Sequence, residues 1–193
     1  MDSLLWYYVS GPAWEAKTHL KYRINGYVFS PQRYDDTLST QDSGVCMDAI
    51  TTFVASVKDL NPTNDDTTWY GIIKEIFEVD YYEFSHVVFY YEWVNIADKM
   101  HGCKIWPDSN LLMVNLKKLK SSDGEYDEPA ILASEASQVF YIPDIQNPDW
   151  SIVRRSPKRL TDSVDDYEMP TNFQSVLKEQ SNLTTLLKCI ESK

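Results

Sequence analysis

The chain has 193 residues, enough for one domain with an appended segment and for a sizeable core. Hydrophobic residues make up 43% and charged residues 24%, which excludes a disordered tail or a collagen-like repeat. Acidic residues outnumber basic ones 29 to 18, and the net charge of −11 disfavours a general nucleic-acid binder and favours neutral or basic partners.

No apolar run reaches the length of a transmembrane helix, and the short stretch 4–9 follows Asp2 where a signal peptide needs positive charge. The expectation is an intracellular protein of nucleus or cytoplasm with no membrane insertion. Cys46, Cys103 and Cys189 are widely spaced and odd in number, fitting neither a disulfide framework nor a zinc set, so three reduced thiols are expected.

In chain order, residues 21–24 and 27–30 flank Asn25-Gly26, a pair that supplies both positive-φ positions of a type I′ turn and so predicts a hairpin. Residues 30–43 are polar, carry no sustained period and read as a surface loop. Residues 45–47 read as a strand, 51–57 as a strand or one to two helical turns, and 61–66 as a turn or short linker. The strongest β signal runs from Trp69 to Trp93. Simple alternation there puts Ile73, Glu75, Phe77 and Val79 on one pleat face and Ile72, Lys74, Ile76 and Glu78 on the other, neither wholly apolar. After a turn at 80–83, residues 86–93 are apolar on both faces and read as a central strand. Residues 111–116, 138–142 and 150–154 read as further strands, 121–124 as a turn, and 129–136 as a helical turn or an extended piece. Short strands at this spacing predict a mainly β fold, an antiparallel barrel-like sheet or sandwich.

The tail changes period. Thr171 and Gln174 have capping-box spacing, and Phe173, Val176, Leu177, Leu183, Leu186, Leu187 and Ile190 recur at helical intervals, predicting a C-terminal amphipathic helix. Its stripe through Phe173, Leu177 and Leu187 has to be buried on the β domain or on a partner chain, a second copy included. The organisation expected is a β domain over 1–160, an acidic linker over 161–170 and a helix over 171–193.

Catalytic patterns are absent from the sequence: no Gly-x-Ser-x-Gly elbow, no Gly-rich phosphate loop, no Cys-x-x-Cys and no His-Glu-x-x-His. His19, His86 and His101 are far apart and read as structural or exposed, so no catalytic residue, cofactor or metal is expected. Arg154, Arg155, Lys158 and Arg159 form a compact basic patch, a candidate nucleic-acid contact partly neutralised by the acidic run that follows. Tyr81, Tyr82, Tyr90, Tyr91 and Trp93 admit two readings, a cage for a methylated lysine or core, with core the plainer one.

Gly11-Pro12, residues 24–29, 41–45, 69–76, 93–95 and 128–144 occur in an order that resembles the plant domain of unknown function DUF4216, found C-terminal to the transposase in CACTA (En/Spm) transposon proteins. The resemblance spans about residues 11–153 and implies descent from a mobile element of a plant, without supplying catalytic residues. A weaker likeness in strand order to bromo-adjacent homology domains is an analogy of fold only. The missing catalytic patterns, the acidic balance and the apolar helix stripe lead to the expectation of a non-enzymatic module that binds another protein, and mobile-element descent adds that of a selfish, toxic or regulatory factor acting on a host protein. A chromatin or histone-peptide reader and an accessory DNA-binding module of a transposase are the alternatives.

Overall fold

The computed structural model describes residues 12–13, 16–37, 40–53, 63–106, 109–120 and 130–159. The expected acidic linker and the helix carrying Phe173, Leu177 and Leu187 lie outside the described residues.

Within them the chain is mainly β: β1 (Ala16–Thr18), β2 (Tyr22–Ile24), β3 (Tyr27–Phe29), β4 (Gly44–Phe53), β5 (Thr63–Asp80), β6 (Ser85–Val94), β7 (Cys103–Ile105), β8 (Leu112–Val114), β9 (Leu119–Lys120), β10 (Ala130–Leu132), β11 (Ser137–Pro143) and β12 (Ser151–Arg155), with 3-10 turns at Gln32–Thr37 and Ala133–Glu135. The turn between β2 and β3 has Asn25 at φ 53 and Gly26 at φ 82, the left-handed pair that the Asn-Gly sequence predicts. β5 begins earlier than expected: Thr63–Asp66, read as turn from composition, pair with Ile50–Phe53 of β4. Ladder hydrogen bonds over the whole of β4 override the low strand propensity of Asn and Asp there.

The main sheet has the order β10-β6-β5-β4-β11-β12-β8-β7, with β1 added to β5 and β9 to β6, and β2-β3 stands as a separate hairpin. All pairings are antiparallel. Among the described residues β10 and β7, the two ends of this order, do not pair, so the sheet is not the closed barrel that strand spacing implied. The reason lies in β11. Ser137 and Gln138 pair with β4, and from Val139 onward the same strand pairs with β12. The sheet therefore turns over into two layers in place of closing on itself.

A β-bulge in β5 corrects the face assignment made from alternation. Ile73 pairs with Tyr91 and Glu75 with Tyr90, leaving Lys74 as the extra residue. Parity shifts by one at that point, so Ile73 and Ile76 share a face with Phe89, Tyr91 and Val45, and the β2-β3 hairpin covers them through Phe29, Tyr22, Ile24 and Tyr27. Ile72, Phe77 and Val79 face the other way. The bulged residue is held from both sides: Lys74 Nζ lies 2.7 Å from Glu92 Oε2 and 2.8 Å from Gln32 Oε1, and Glu75 accepts from Arg33. A second core lies between the two layers, where Cys46, Ile72 and Val94 of the first meet Val114, Val139 and Tyr141 of the second.

β1 is fixed to β5 by a half-buried pair, His19 Nε2 to Glu78 Oε2 at 2.9 Å. Burial alone would raise the Glu78 carboxyl, but hydrogen bonds from His19 and Ser85 and the charges of Lys17 and His19 bring it below the usual glutamate range. A carboxyl depressed in the folded state adds stability above its unfolded value, about 4.3, and that contribution disappears as pH falls through the lower folded value. Urea unfolding of the wild type and Glu78→Gln should therefore differ at neutral pH and converge below about pH 4. A gap that stays constant down to low pH would exclude this role.

Candidate protein-interaction site

Asp42 is 1% exposed, and a buried carboxylate demands compensation. Arg159 Nη2 donates to its Oδ1 at 2.5 Å, Thr40 Oγ1 to its Oδ2 at 3.1 Å, and Gln138 Nε2, which also donates to the Val28 carbonyl, lies 3.5 Å from Oδ1. Neighbouring Asp35 accepts from the Asp42 amide at 3.1 Å and from the Ser43 hydroxyl. Burial raises the Asp35 carboxyl, and those hydrogen bonds oppose the rise. The segment after β12 is thereby strapped across the hairpin: the Arg159 amide donates to the Gly26 carbonyl at 2.7 Å, and Arg23 donates to the Arg159 carbonyl at 3.0 Å.

Most of the basic patch is therefore part of the scaffold. Arg159 holds Asp42; Lys158 lies 5.7 Å from the centroid of the Tyr27 ring; Arg155 stands 3.4 Å from Asp48. Among the described residues Arg154, exposed on β12, has no ion-pair partner.

The aromatic candidates do not converge. Tyr81 is fully buried, stacked on Phe84 at 5.1 Å, whereas Tyr82, beside it in the β5-β6 turn, is 68% exposed with φ 71. Tyr91 and Trp93 lie nine and eleven positions after Tyr82, toward the far end of β6, some 20 Å away at strand rise. Tyr91 is buried with its ring 3.8 Å from that of Trp93, which in turn lies 5.8 Å from Trp69. Gly71 makes room for this group, since a Cβ there would stand 2.9 Å from the Trp93 ring. The histidines are dispersed as well: His19 on Glu78, His101 on Asp98 at 3.3 Å, and His86 against the Tyr81 and Phe84 rings.

The feature that composition did not reveal lies on the outside of the second layer. Register places Lys104, Met113, Ile152 and Ile142 side by side across β7, β8, β12 and β11. Period-two alternation turns these away from the interlayer core formed by Val114, Val139, Tyr141 and Cys103. Met113 and Ile152 form the floor of a hollow of about 250 Å³, Trp106 and Leu111 its walls, and Ser109, Asp144 and Gln146 its polar rim. The Trp106 amide donates to the Leu111 carbonyl at 2.8 Å, closing the β7-β8 turn over one side. On the other side the 144–150 loop is fixed by Asp144, which accepts from the Gln146 amide at 2.9 Å and from Asn147 Nδ2 at 3.0 Å; these bonds lower its carboxyl below the usual range. Lys104 Nζ sits 3.8 Å from the Trp150 ring centroid. Ile145, 96% exposed, tops this hydrogen-bonded loop, and Ile142 is 42% exposed beside it.

Residues 77–153 match the family model described as Domain of unknown function (DUF4216). The match is narrower than the 11–153 read from sequence blocks, starting after the bulge in β5 and ending in β12. It contains every residue that lines the hollow, and none of the Asp42–Arg159 contact. No curated protein and no solved structure matches the chain.

An apolar recess with a few placed polar groups, on a rigid rim, is suited to taking an apolar side chain of another protein. Sequence reading missed it because its floor comes from strands far apart in the chain that adjoin only through register. Ile145 was the one legible sign, an isoleucine inside the turn-forming run Pro143-Asp144-Ile145-Gln146-Asn147.

If the Asp42–Arg159 pair holds the hairpin, Arg159→Met leaves the buried Asp42 carboxylate with only the Thr40 and Gln138 donors and should cost about 1–3 kcal/mol in urea unfolding, the arginine being partly exposed. Adding Asp42→Asn should restore much of that loss. A single substitution without effect, or a double variant as unstable as the sum of two, would contradict the pairing.

Proposed function

We propose that the chain is a non-catalytic protein-interaction module, descended from a plant CACTA transposon protein, that binds protein through the outer face of β11-β12-β8-β7. The observation that carries the reading is the apolar hollow on the outer face of the second layer, floored by the buried Met113 and the half-buried Ile152, with the hydrogen-bonded 144–150 loop presenting Ile145 beside it. Elsewhere three buried or half-buried carboxylates hold the scaffold: Asp42 with Arg159, Glu75 with Arg33, Glu78 with His19. Mobile-element descent rests on the sequence blocks that resemble the transposon-associated domain, and the family match over 77–153 agrees with the domain part of that resemblance.

Affinity capture after cross-linking, read by mass spectrometry, tests this. Ile145→Asp should reduce recovery of the captured protein at least about tenfold, the loss expected for a buried isoleucine anchor, while Tyr82→Ser, at a residue 68% exposed in the β5-β6 turn away from this face, leaves it unchanged. Ile145 is almost wholly exposed, so the fold should survive the change. Capture that depends on Arg154 and not on Ile145, or that is abolished by nuclease, would favour the nucleic-acid reading and defeat this one.

A further inference from the structure

We infer that the partner seated on this face is an acidic protein segment; the inference rests on the protein-binding reading of the same face. One apolar side chain of that segment enters the hollow, and its carboxylates meet Lys104, Lys118 and Arg154. The chain as a whole carries −11, yet cations are in excess around the hollow. Register puts Lys104 beside Met113 on the outer face, and Arg154 follows Ile152 by two residues on that face, about 7 Å along β12. Lys117 and Lys118 both act on Asp149 of the 144–150 loop, Lys117 with its Nζ 2.5 Å from Oδ1 and Lys118 through its charge at longer range.

The anions of this face are already engaged. Lys117 holds Asp149, and Asp144 accepts from the Gln146 amide and Asn147 Nδ2. Lys118 and Arg154 are exposed and, among the described residues, neither forms an ion pair, so cations are left over for a ligand. The net charge of the whole chain does not reverse this locally. At physiological salt the Debye length is about 8 Å and packed sheets stand about 10 Å apart, so acidic groups behind the second layer are largely screened from a ligand on its outer face. Phe140, opposite Arg154 on β11, and Ile142 continue the apolar strip beyond the hollow. A phosphate backbone needs a run of basic contacts and brings no aliphatic side chain, so it matches neither the few cations nor the recess between them. An aliphatic residue among aspartates or glutamates matches both. A second copy would set cations against cations.

Fluorescence anisotropy with the full chain tests the inference. The probes are short labelled peptides that share a central leucine and differ in flanks of glutamate, glutamine or lysine, together with a short single-stranded DNA. The glutamate peptide should bind at least about tenfold more tightly than the glutamine peptide, and the lysine peptide least of all. Arg154→Glu and Lys118→Glu, both at exposed positions, should each weaken the glutamate peptide about threefold or more while keeping the wild-type unfolding midpoint. Ser109→Trp, which fills the hollow, should weaken the glutamate and glutamine peptides alike. Affinity that ignores flank charge, tightest binding of the lysine peptide, or no binding of the glutamate peptide overturns the inference. If binding ignores flank charge but is lost in Ser109→Trp, the acidic partner falls and the protein-binding reading stands. If the DNA binds more tightly than every peptide and Ser109→Trp leaves that binding intact, both fall. A concentration-dependent dimer that Ser109→Trp dissociates, with no binding of the glutamate peptide, puts a second copy on this face and also overturns the inference.

Discussion

The two-layer form depends on one strand being shared. β11 hydrogen-bonds to β4 through Ser137 and Gln138 and then leaves it for β12. At the point of departure the backbones approach so closely that a Cβ on Gly44 would overlap the Val139 carbonyl, so the residue there has to be glycine. Tyr141, three residues into the β12 ladder, reaches back and donates its hydroxyl to the Gly71 carbonyl at 2.8 Å, fastening the second layer to the middle of β5. Everything about the outer face follows from this geometry. Once Val139 and Tyr141 point into the interlayer core, Ile142 and its cross-strand neighbours Ile152 and Met113 have to point away from it.

That requirement explains why apolar side chains stand on the outside. A strand buried on both faces reads as a continuous apolar run, and parts of β8, β11 and β12 have that composition, yet only one of their faces is covered by the first layer. The β7-β8 turn and the 144–150 loop enclose the floor partially, leaving a recess in place of a sealed core. Polar side chains have the opposite assignment. Asp42, Gln138 and Arg159 tie the strap after β12 to the hairpin over the first layer, a contact whose members come from three distant parts of the chain.

Legibility in the sequence tracked the range of the interaction. The Asn25-Gly26 hairpin was readable because its cause is local, two residues able to take positive φ. The central position of β6 was readable from an apolar run on both faces. The Lys74 bulge was not, and alternation across it placed Ile73 and Ile76 on opposite faces when they share one; the mixed polarity of both assigned faces was its trace. The layer switch in β11 leaves no local mark, so strand spacing left a barrel-like sheet and a sandwich both open. The same limit governed the site: Arg159 looked like a surface cation because Asp42 lies 117 positions away, and the hollow floor is assembled by register alone.

The central claim is that this molecule works through the outer face of its second layer. Methyl NMR of isoleucine- and methionine-labelled protein, followed as a captured protein is added, addresses it directly. Perturbations should gather at Ile142, Ile145, Ile152 and Met113, while Ile73, Ile76 and Ile131 of the first-layer core stay unchanged. Changes centred instead on Met47 near the tryptophan pair, or on Ile24 beneath the basic strap, would contradict the account.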